Sequence, residues 1–408
     1  MAKKRLGIYG GTFSPPHNGH IEAAEAFVSE MKLDELLIIP TFLPPHKESA
    51  DGATPFDRLN MCRIAFSHIP NTYVSDMEIK RGGKSYTYLT LEELSGPDTD
   101  IFFLVGTDMI LTFDLWKRYE YIFTLATICY ARRESDKDID VKIDEKVRQY
   151  ENLGAKIVKI NHKVNEISST EARSLADAKD LSLCVAKEVC EYIFAHSLYG
   201  ASGGAENELS EKVRGLMSER RFTHTLGVID AAEKIALAVC PALVTKARIC
   251  GLLHDVTKEM KQWELVGRYS ISLSDDDRLS PETLHALTAC SYIKEHFPEF
   301  ADSEILSAIR THTTGSPNMG LLNKILFVAD FIEENRRYES SKEVREELYS
   351  AFAKGDREYS VYALDLAAIS SIDRTLSHLK AYGKPVHTLT HKTRESLKNI
   401  IEKQSRGN

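Results

Sequence analysis

Short apolar, β-branched runs alternate with amphipathic stretches over about the first 195 residues. The runs fall at 6–9, 36–39, 101–105, 127–130 and 157–160, and helical periodicity marks 21–31 and 58–68 between them. Continuous apolar runs suit strands buried on both faces. Their alternation with helices predicts a Rossmann-like α/β fold, a doubly wound parallel sheet. Such sheets bind ligands beyond the carboxyl ends of their strands. Further on, helical periods dominate, as at 323–335, and convincing strands are absent, which predicts an all-α, helical second domain. Between the two textures lies YGASGGAE at 199–206, small and Gly-rich, which reads as a linker. The expected division is therefore residues 1–199, a linker at 200–207, and residues 208–408.

Composition agrees with two ordinary globular domains. The 408 residues are 43% apolar and 27% charged, long for one core and comfortable for two. A formal net charge of -8 argues against a general nucleic-acid binder, yet leaves room for local cations that hold nucleotide phosphates. The leading MAKKRLGIYGG lacks the apolar run of a signal peptide, and no stretch reaches the roughly 18 apolar residues of a membrane span. A cytoplasmic protein with no membrane partner is expected. The seven cysteines form no CxxC pair and read as reduced thiols.

Two segments of the first domain carry phosphate chemistry. Gly10-Gly11-Thr12-Phe13-Ser14-Pro15-Pro16-His17-Asn18-Gly19-His20 joins the first strand to the first helix. Glycines let the backbone approach a ligand, and a helix N-terminus offers N–H donors to an anion. His17 and His20 are three apart and lean toward the same phosphates. A bare GG or HxxH would be an ordinary surface turn; the whole string between a strand and a helix points to phosphate. The second segment, Ile167-Ser168-Ser169-Thr170-Glu171-Ala172-Arg173, follows the last strand. Alone it is an everyday helix cap with a solvated Arg173. Beside the first, it supplies the cationic half of a triphosphate clamp.

The second domain spaces metal-ligand residues in the order His224, His254-Asp255, His285, His312, Asp330, each in an apolar helical setting. Imidazoles and carboxylates are the ligands divalent metals take for hydrolysis. Adjacent His254 and Asp255 diverge toward two metals only at a helix end, where Asp255 could bridge ions roughly 3.5–4 Å apart. His285 has the least distinctive surroundings, and a structural role for it stays open. Lys258, one turn beyond His254 on the same helical face, and Arg336 are candidates for neutralising phosphate, or solvated surface cations.

GGTF-x-P-x-HxGH followed by ISST-x-x-R resembles the nucleotidyltransferase superfamily, specifically the bacterial nicotinate mononucleotide adenylyltransferases. The resemblance spans roughly residues 5–199 and includes Pro44-Pro45-His46-Lys47, Tyr86-Thr87-Tyr88, Gly106-Thr107-Asp108 and Trp116. Phosphopantetheine adenylyltransferases share HxGH but carry a different Ser-rich motif, and are the alternative. Ser14 stands where the family usually has Asp. The resemblance implies that ATP, arriving with Mg²⁺, is attacked at its α-phosphorus by the phosphate of nicotinate mononucleotide, giving deamido-NAD and pyrophosphate. It implies an ATP site of Gly10, Gly11, Thr12, His17, His20, Ser169 and Arg173. Within it His17, His20 and Arg173 meet the triphosphate, and Ser169 adds a capping donor. Lys47, Thr87, Asp108, Trp116 and Arg133 are the candidates for the pyridine nucleotide. Trp116 would stack on the ring, or is merely a half-buried packing residue; Lys47 or Arg133 would meet a carboxylate or phosphate.

RFTHTLGV, LLHDVTK, AIRTHTTG and KILFVADFIE resemble the HD phosphohydrolases, more narrowly the bacterial proteins that cleave diadenosine tetraphosphate symmetrically into two ADP, over about residues 208–390. Ala286, Ser316 and Glu334-Asn335 depart from that pattern. The resemblance implies two divalent metals, iron or manganese, held by His224, His254, Asp255, His285, His312 and Asp330, with Lys258 and Arg336 on the phosphates. Two other readings are hydrolysis of a guanosine alarmone and a degenerate regulatory nucleotide sensor; retention of every metal station speaks against the sensor. A homo-oligomer and communication between the sites are left open.

Overall fold

Six parallel strands form one sheet in the computed structural model, in the order β3-β2-β1-β4-β5-β6. They are β1 (Lys4–Gly11), β2 (Glu35–Pro40), β3 (Thr72–Val74), β4 (Thr99–Gly106), β5 (Thr127–Ala131) and β6 (Ile157–Ile160). The structure describes residues 3–44, 52–131, 137–161, 167–175, 179–201, 204–354 and 357–407. β1 pairs with β2 on one side and β4 on the other, in the registers Tyr9↔Ile38 and Tyr9↔Leu104. The strand order therefore reverses at β1, and the crevice beyond the carboxyl ends of β1 and β4 is the place this topology reserves for a ligand. The segment from Gly10 to His20 begins there.

The five expected strands are present, and the sixth, β3, is an addition to them. It has only three residues, sits at the sheet edge and exposes Tyr73, so it leaves no apolar run to read. The first helix, Asn18–Met31, starts earlier than its apolar periodicity, because His17 is its N-cap at φ -124° and ψ 170°. The second is Pro55–Ala65 rather than 58–68. A capping box between Thr54 and Asp57, with Pro55 at the first position, fixes its start. Apolar strand residues and helix faces close one core, including Ile8, Ile101, Phe103, Phe113, Ile128 and Tyr150.

The chain folds as two units, Met1–Gly204 and Ala205–Asn408. The segment read as linker is helical from Ala205 onward, in Ala205–Arg214. Glu206 and Glu208 lie in that helix's first turn, where acidic side chains suit the dipole, and Glu206 pairs with Arg248 at 2.6 Å. Among the described residues the second unit contains only helices and turns. Glu219–Val239, Val244–Leu253, Leu284–His296, Ser303–Thr311 and Leu321–Ile332 carry or end beside the metal-ligand residues. The last of these stops three residues short of the expected 335, because Glu333 turns extended at ψ 149°. All seven cysteines are free, and five are buried. No helix among the described residues is long and apolar enough to cross a membrane.

Candidate functional site

The first unit gathers its phosphate-type residues around the loop after β1. His17 and His20 are 1% and 8% exposed, with ring centroids 3.7 Å apart. The His17 backbone N–H donates to His20 Nδ1 at 3.2 Å. In a neutral ring that leaves the proton on Nε2, so His20 presents a donor from its far edge. Arg173 reaches back from Ser169–Ser174: its Nη1 donates to the Ser14 carbonyl at 2.7 Å and its Nη2 to Thr170 Oγ1 at 3.1 Å. The motif after the last strand thus docks onto the loop, although 159 residues separate Ser14 from Arg173.

The role expected of Ser169 as a cap is corrected. The helix begins at Ser169, so the N-cap is Ser168, whose Oγ accepts from Glu171 N at 3.2 Å while Glu171 accepts from Ser168 N at 2.8 Å. Ser169 Oγ instead donates to the Pro15 carbonyl at 3.1 Å.

Two further residues, Arg58 and Tyr199, hold this loop, and neither role is visible in the residue pattern. Arg58 is fully buried; its Nη1 donates to Thr12 O at 2.7 Å, and its Nη2 to Thr41 O at 2.6 Å and Phe42 O at 3.0 Å. Three carbonyl acceptors offset the cost of burying that guanidinium and fasten the ends of β1 and β2 together. Tyr199 places its hydroxyl 3.1 Å from Ser14 Oγ, at the residue that departs from the pattern of the resembled family. Burial raises the Tyr199 phenol above its ordinary value, so it stays neutral. No sequence spacing announces either contact; the capping box ahead of Arg58 was the nearest signal.

Beside the loop lies a cavity of about 460 Å³ that brings Gly10, Gly11 and Thr12 together with Thr87 and Trp116. Trp116 is half-buried, stacks on Phe113 at 4.6 Å, meets Phe103 in a T-shaped contact at 6.2 Å, and lines the space. Asp108 is exposed in Thr107–Leu111 and is not among the lining residues; His17, His20, Ser169 and Arg173 gather instead at residues 14–20. Lys47 and Arg133 lie outside the described residues.

In the second unit the helix ends do the positioning. Val244–Leu253 stops just before His254 and Asp255, and Ser303–Thr311 just before His312. His254, His285 and His312 each hold Nδ1 2.7–2.8 Å from the carbonyl three residues earlier, on Gly251, Glu282 and Ile309. Nδ1–H donates there, which leaves the neutral ring's lone pair on Nε2. Those Nε2 atoms converge. His285 and His312 Nε2 are 3.1 Å apart, Asp255 Oδ1 lies 3.1 and 3.7 Å from them, and Asp255 Oδ2 is 3.4 Å from His254 Nε2. His254 Nε2 is buried and makes no hydrogen bond. Lone pairs aimed at one another around a buried carboxylate are what a divalent cation fits.

A second group adjoins the first through His254. His224 Nε2 is 3.1 Å from Asp330 Oδ1. The ligand atoms of His224, His254 and Asp330 lie within 4.8 Å of one another, as do those of His254, Asp255 and His312. All six residues named from the sequence therefore meet in one cluster.

Neighbouring charges, set against burial, fix the ionisation of the cluster: burial pushes His224 down, and Asp330 and Glu333 outweigh it and raise the ring to about 9. Burial pushes Asp255 up, but His254, His285 and His312 outweigh it and hold the carboxyl well below its ordinary range. Burial opposes ionisation of Asp330 likewise, and Arg336 and His224 overcome it. Burial lowers His285 to about 4, so its ring is neutral.

Around the cluster, Arg221 donates to Asp255 Oδ2 at 2.7 Å and Arg336 to Asp330 Oδ1 at 2.6 Å. Glu333, 1% exposed, sets its Oε1 3.2 Å from His224 Nδ1. Arg221 and Glu333 each lie three residues from a ligand, before His224 and after Asp330. Their contacts, however, cross between elements, Arg221 to Asp255 and Glu333 to His224, so the spacing alone did not reveal them. The expectation for Lys258 is corrected in its reason: the helix ends at Leu253, so no shared helical face links it to His254. A run of turns brings its Nζ 3.1 and 3.2 Å from the His285 ring nitrogens. Burial lowers the Lys258 pKa.

A doubly wound sheet with a buried histidine pair in the glycine-rich loop after β1 is the architecture of a nucleotidyltransferase-type unit, and the helical cluster is a candidate histidine–aspartate metal centre. The cytidylyltransferase-like family model matches residues 8–175, and the HD domain model matches residues 221–335. A protein of Desulfatibacillum aliphaticivorans, named a probable nicotinate-nucleotide adenylyltransferase, is 48% identical over 122 residues, 30% of this chain and 56% of that protein. One of the same name from Listeria monocytogenes serotype 4b is 33% identical over 200 residues, 48% of this chain and 98% of that protein. A Mycoplasma genitalium protein, named a probable nicotinate-nucleotide adenylyltransferase/Ap4A hydrolase, is 26% identical over 341 residues, 83% of this chain and 89% of that protein. Through its first unit the chain belongs to the nicotinate-nucleotide adenylyltransferase family.

Proposed function

We propose that the chain is a bifunctional enzyme. Its first unit transfers AMP from ATP to nicotinate mononucleotide, giving deamido-NAD and pyrophosphate; its second hydrolyses diadenosine tetraphosphate to two ADP. Both reactions use small nucleotides, and we place the protein with them in the cytoplasm.

For the transferase, the carrying observation is the docking of Arg173 and Ser169 onto the Ser14–Pro15 carbonyls, beside the buried His17/His20 pair. The attacking phosphate is already anionic, so no protein nucleophile is required and catalysis rests on position and charge. His17, His20 and Arg173 hold the triphosphate, with Gly10, Gly11 and Thr12 supplying backbone close to the nucleotide. ATP brings its own Mg²⁺. The neighbouring cavity takes the pyridine nucleotide, with Thr87 beside it and Trp116 against the ring; Lys47, Asp108 and Arg133 are further candidates for its polar groups.

For the hydrolase, the carrying observation is the convergence of His254, His285 and His312 Nε2 on Asp255. With His224 and Asp330 they would hold two divalent metals, iron or manganese, which supply an activated water and Lewis-acid stabilisation of the attacked phosphate. Arg221 and Arg336 orient the two carboxylates. Lys258 and Arg336 add positive charge for the phosphate chain.

A substrate panel on the full-length, metal-loaded protein tests both halves. His20→Ala is expected to lose adenylyl transfer roughly a hundredfold, the worth of about 3 kcal/mol of transition-state contact, while hydrolysis persists. Asp255→Asn is expected to do the reverse. A folded His20→Ala that keeps wild-type transfer would overturn the first assignment; wild type that cleaves a guanosine alarmone and spares the dinucleotide would overturn the second.

A further inference from the structure

The cavity beside the histidine–aspartate cluster carries more positive charge than the cluster uses. Its volume is about 1000 Å³, at the upper end of the roughly 300–1,000 Å³ of small-molecule sites. Its lining includes Arg220, Arg221, Lys258, Arg336 and Arg337. Three of these cations are engaged: Arg221 with Asp255, Arg336 with Asp330, and Lys258 at His285. The lining carboxylates are engaged too, Glu259 accepting from Ser218 N at 2.7 Å and Oγ at 2.8 Å, and Glu333 bonded to His224. Arg220 and Arg337 are exposed and make no hydrogen bond or ion pair within the described residues. Tyr338, next to Arg337, is 69% exposed on the same cavity.

We infer that Arg220, Arg337 and Tyr338 form a second nucleotide subsite, which takes the distal phosphates and base of a dinucleoside polyphosphate. The inference rests on the hydrolase reading and deepens it. Phosphates beside the metal ligands fall to Arg221, Lys258 and Arg336, already aligned by the carboxylates and His285. A nucleotide short enough to be served by those three gains nothing from the two uncommitted guanidiniums. A longer chain reaches them, and each makes charge-assisted hydrogen bonds with the phosphates beyond. The exposed phenol ring beside them offers a stacking face for the second base. A guanosine alarmone has one base only and cannot fill both ends.

The test compares full-length, metal-loaded wild type with Arg220→Ala/Arg337→Ala and with Tyr338→Ala. The substrates are diadenosine tetraphosphate and adenosine 5′-tetraphosphate, the same phosphate chain with one nucleoside. The double variant is expected to raise KM about tenfold for both substrates, with most of the effect in KM rather than kcat and with bound metal unchanged. Its KM should also depend less on salt than that of wild type. Tyr338→Ala is expected to erase the wild-type preference for the dinucleotide over the single-nucleoside chain. KM values within about twofold of wild type in both variants would overturn the subsite. If wild type binds the dinucleotide but does not cleave it, the hydrolase reading falls and the same ratios, read by equilibrium binding, decide the subsite. If wild type neither binds nor cleaves it, both fall.

Discussion

Glu333 Oε1 lies 3.2 Å from His224 Nδ1, and Gly227, on the helix that carries His224, keeps the space beside that carboxylate open. A Cβ at Gly227 would collide with Glu333 Oε2. The carboxylate takes one ring nitrogen of His224 and so turns the other toward Asp330, the arrangement that orients histidines at metal centres. Gly227→Ala is therefore expected to cut diadenosine tetraphosphate hydrolysis about tenfold or more, and to leave adenylyl transfer unchanged. In an open helix the same substitution would stabilise by up to about 1 kcal/mol. A rise in melting temperature with full hydrolase activity would show that Glu333 does not need that space.

The loop after β1 depends on a hydroxyl pair. Tyr199→Phe keeps the ring and removes the contact with Ser14 Oγ, whose residue also offers its carbonyl to Arg173. Loss of one neutral hydrogen bond, about 1 kcal/mol, predicts a roughly fivefold fall in kcat/KM for adenylyl transfer. Hydrolysis of the dinucleotide, measured on the same sample, should not change. Equal transfer rates in variant and wild type would show that the loop is held without Tyr199.

Nicotinate mononucleotide should be preferred over its amide. The cationic candidates Lys47 and Arg133, together with the family to which the first unit belongs, motivate this expectation. A carboxylate takes a charge-assisted hydrogen bond that a carboxamide cannot match, which is worth about tenfold in kcat/KM or more. Competition between the two nucleotides for limiting enzyme measures the ratio directly, and a ratio near one would contradict the expectation.

Removing metal should separate the two activities. After chelation and desalting, Mg²⁺ alone is expected to restore adenylyl transfer, because the ion enters with ATP. Hydrolysis is expected to return only with iron or manganese, at two ions per chain by elemental analysis. Full hydrolysis by metal-free protein would contradict the reading of the six-residue cluster.

Much of this was legible in the sequence because it is written at short range. Apolar runs gave β1, β2, β4, β5 and β6, while three-residue β3 left no pattern. The loop from Gly10 to His20 and the five metal stations are contiguous strings or ordered residue types, and the structure brings the latter together. Arg58, Tyr199 and the docking of Arg173 on Ser14 depend on contacts between distant segments and side-chain-to-carbonyl bonds, which have no periodicity. Lys258 shows a subtler limit: its spacing from His254 suggested one helical face, but Val244–Leu253 had already ended, and only tertiary turns place it at His285. Ser168 and Ser169 differ by one position, and whichever precedes the first helical residue becomes the cap.

The products of the second unit test the central claim most directly. Metal-loaded wild type and Asp255→Asn are incubated with diadenosine tetraphosphate, and the nucleotides are separated by chromatography. Two ADP per dinucleotide from wild type, and at least a hundredfold less from Asp255→Asn at unchanged adenylyl transfer, is the predicted result, since loss of the Asp255 carboxylate would weaken metal binding. ATP plus AMP from wild type, or undiminished hydrolysis by Asp255→Asn, would contradict it.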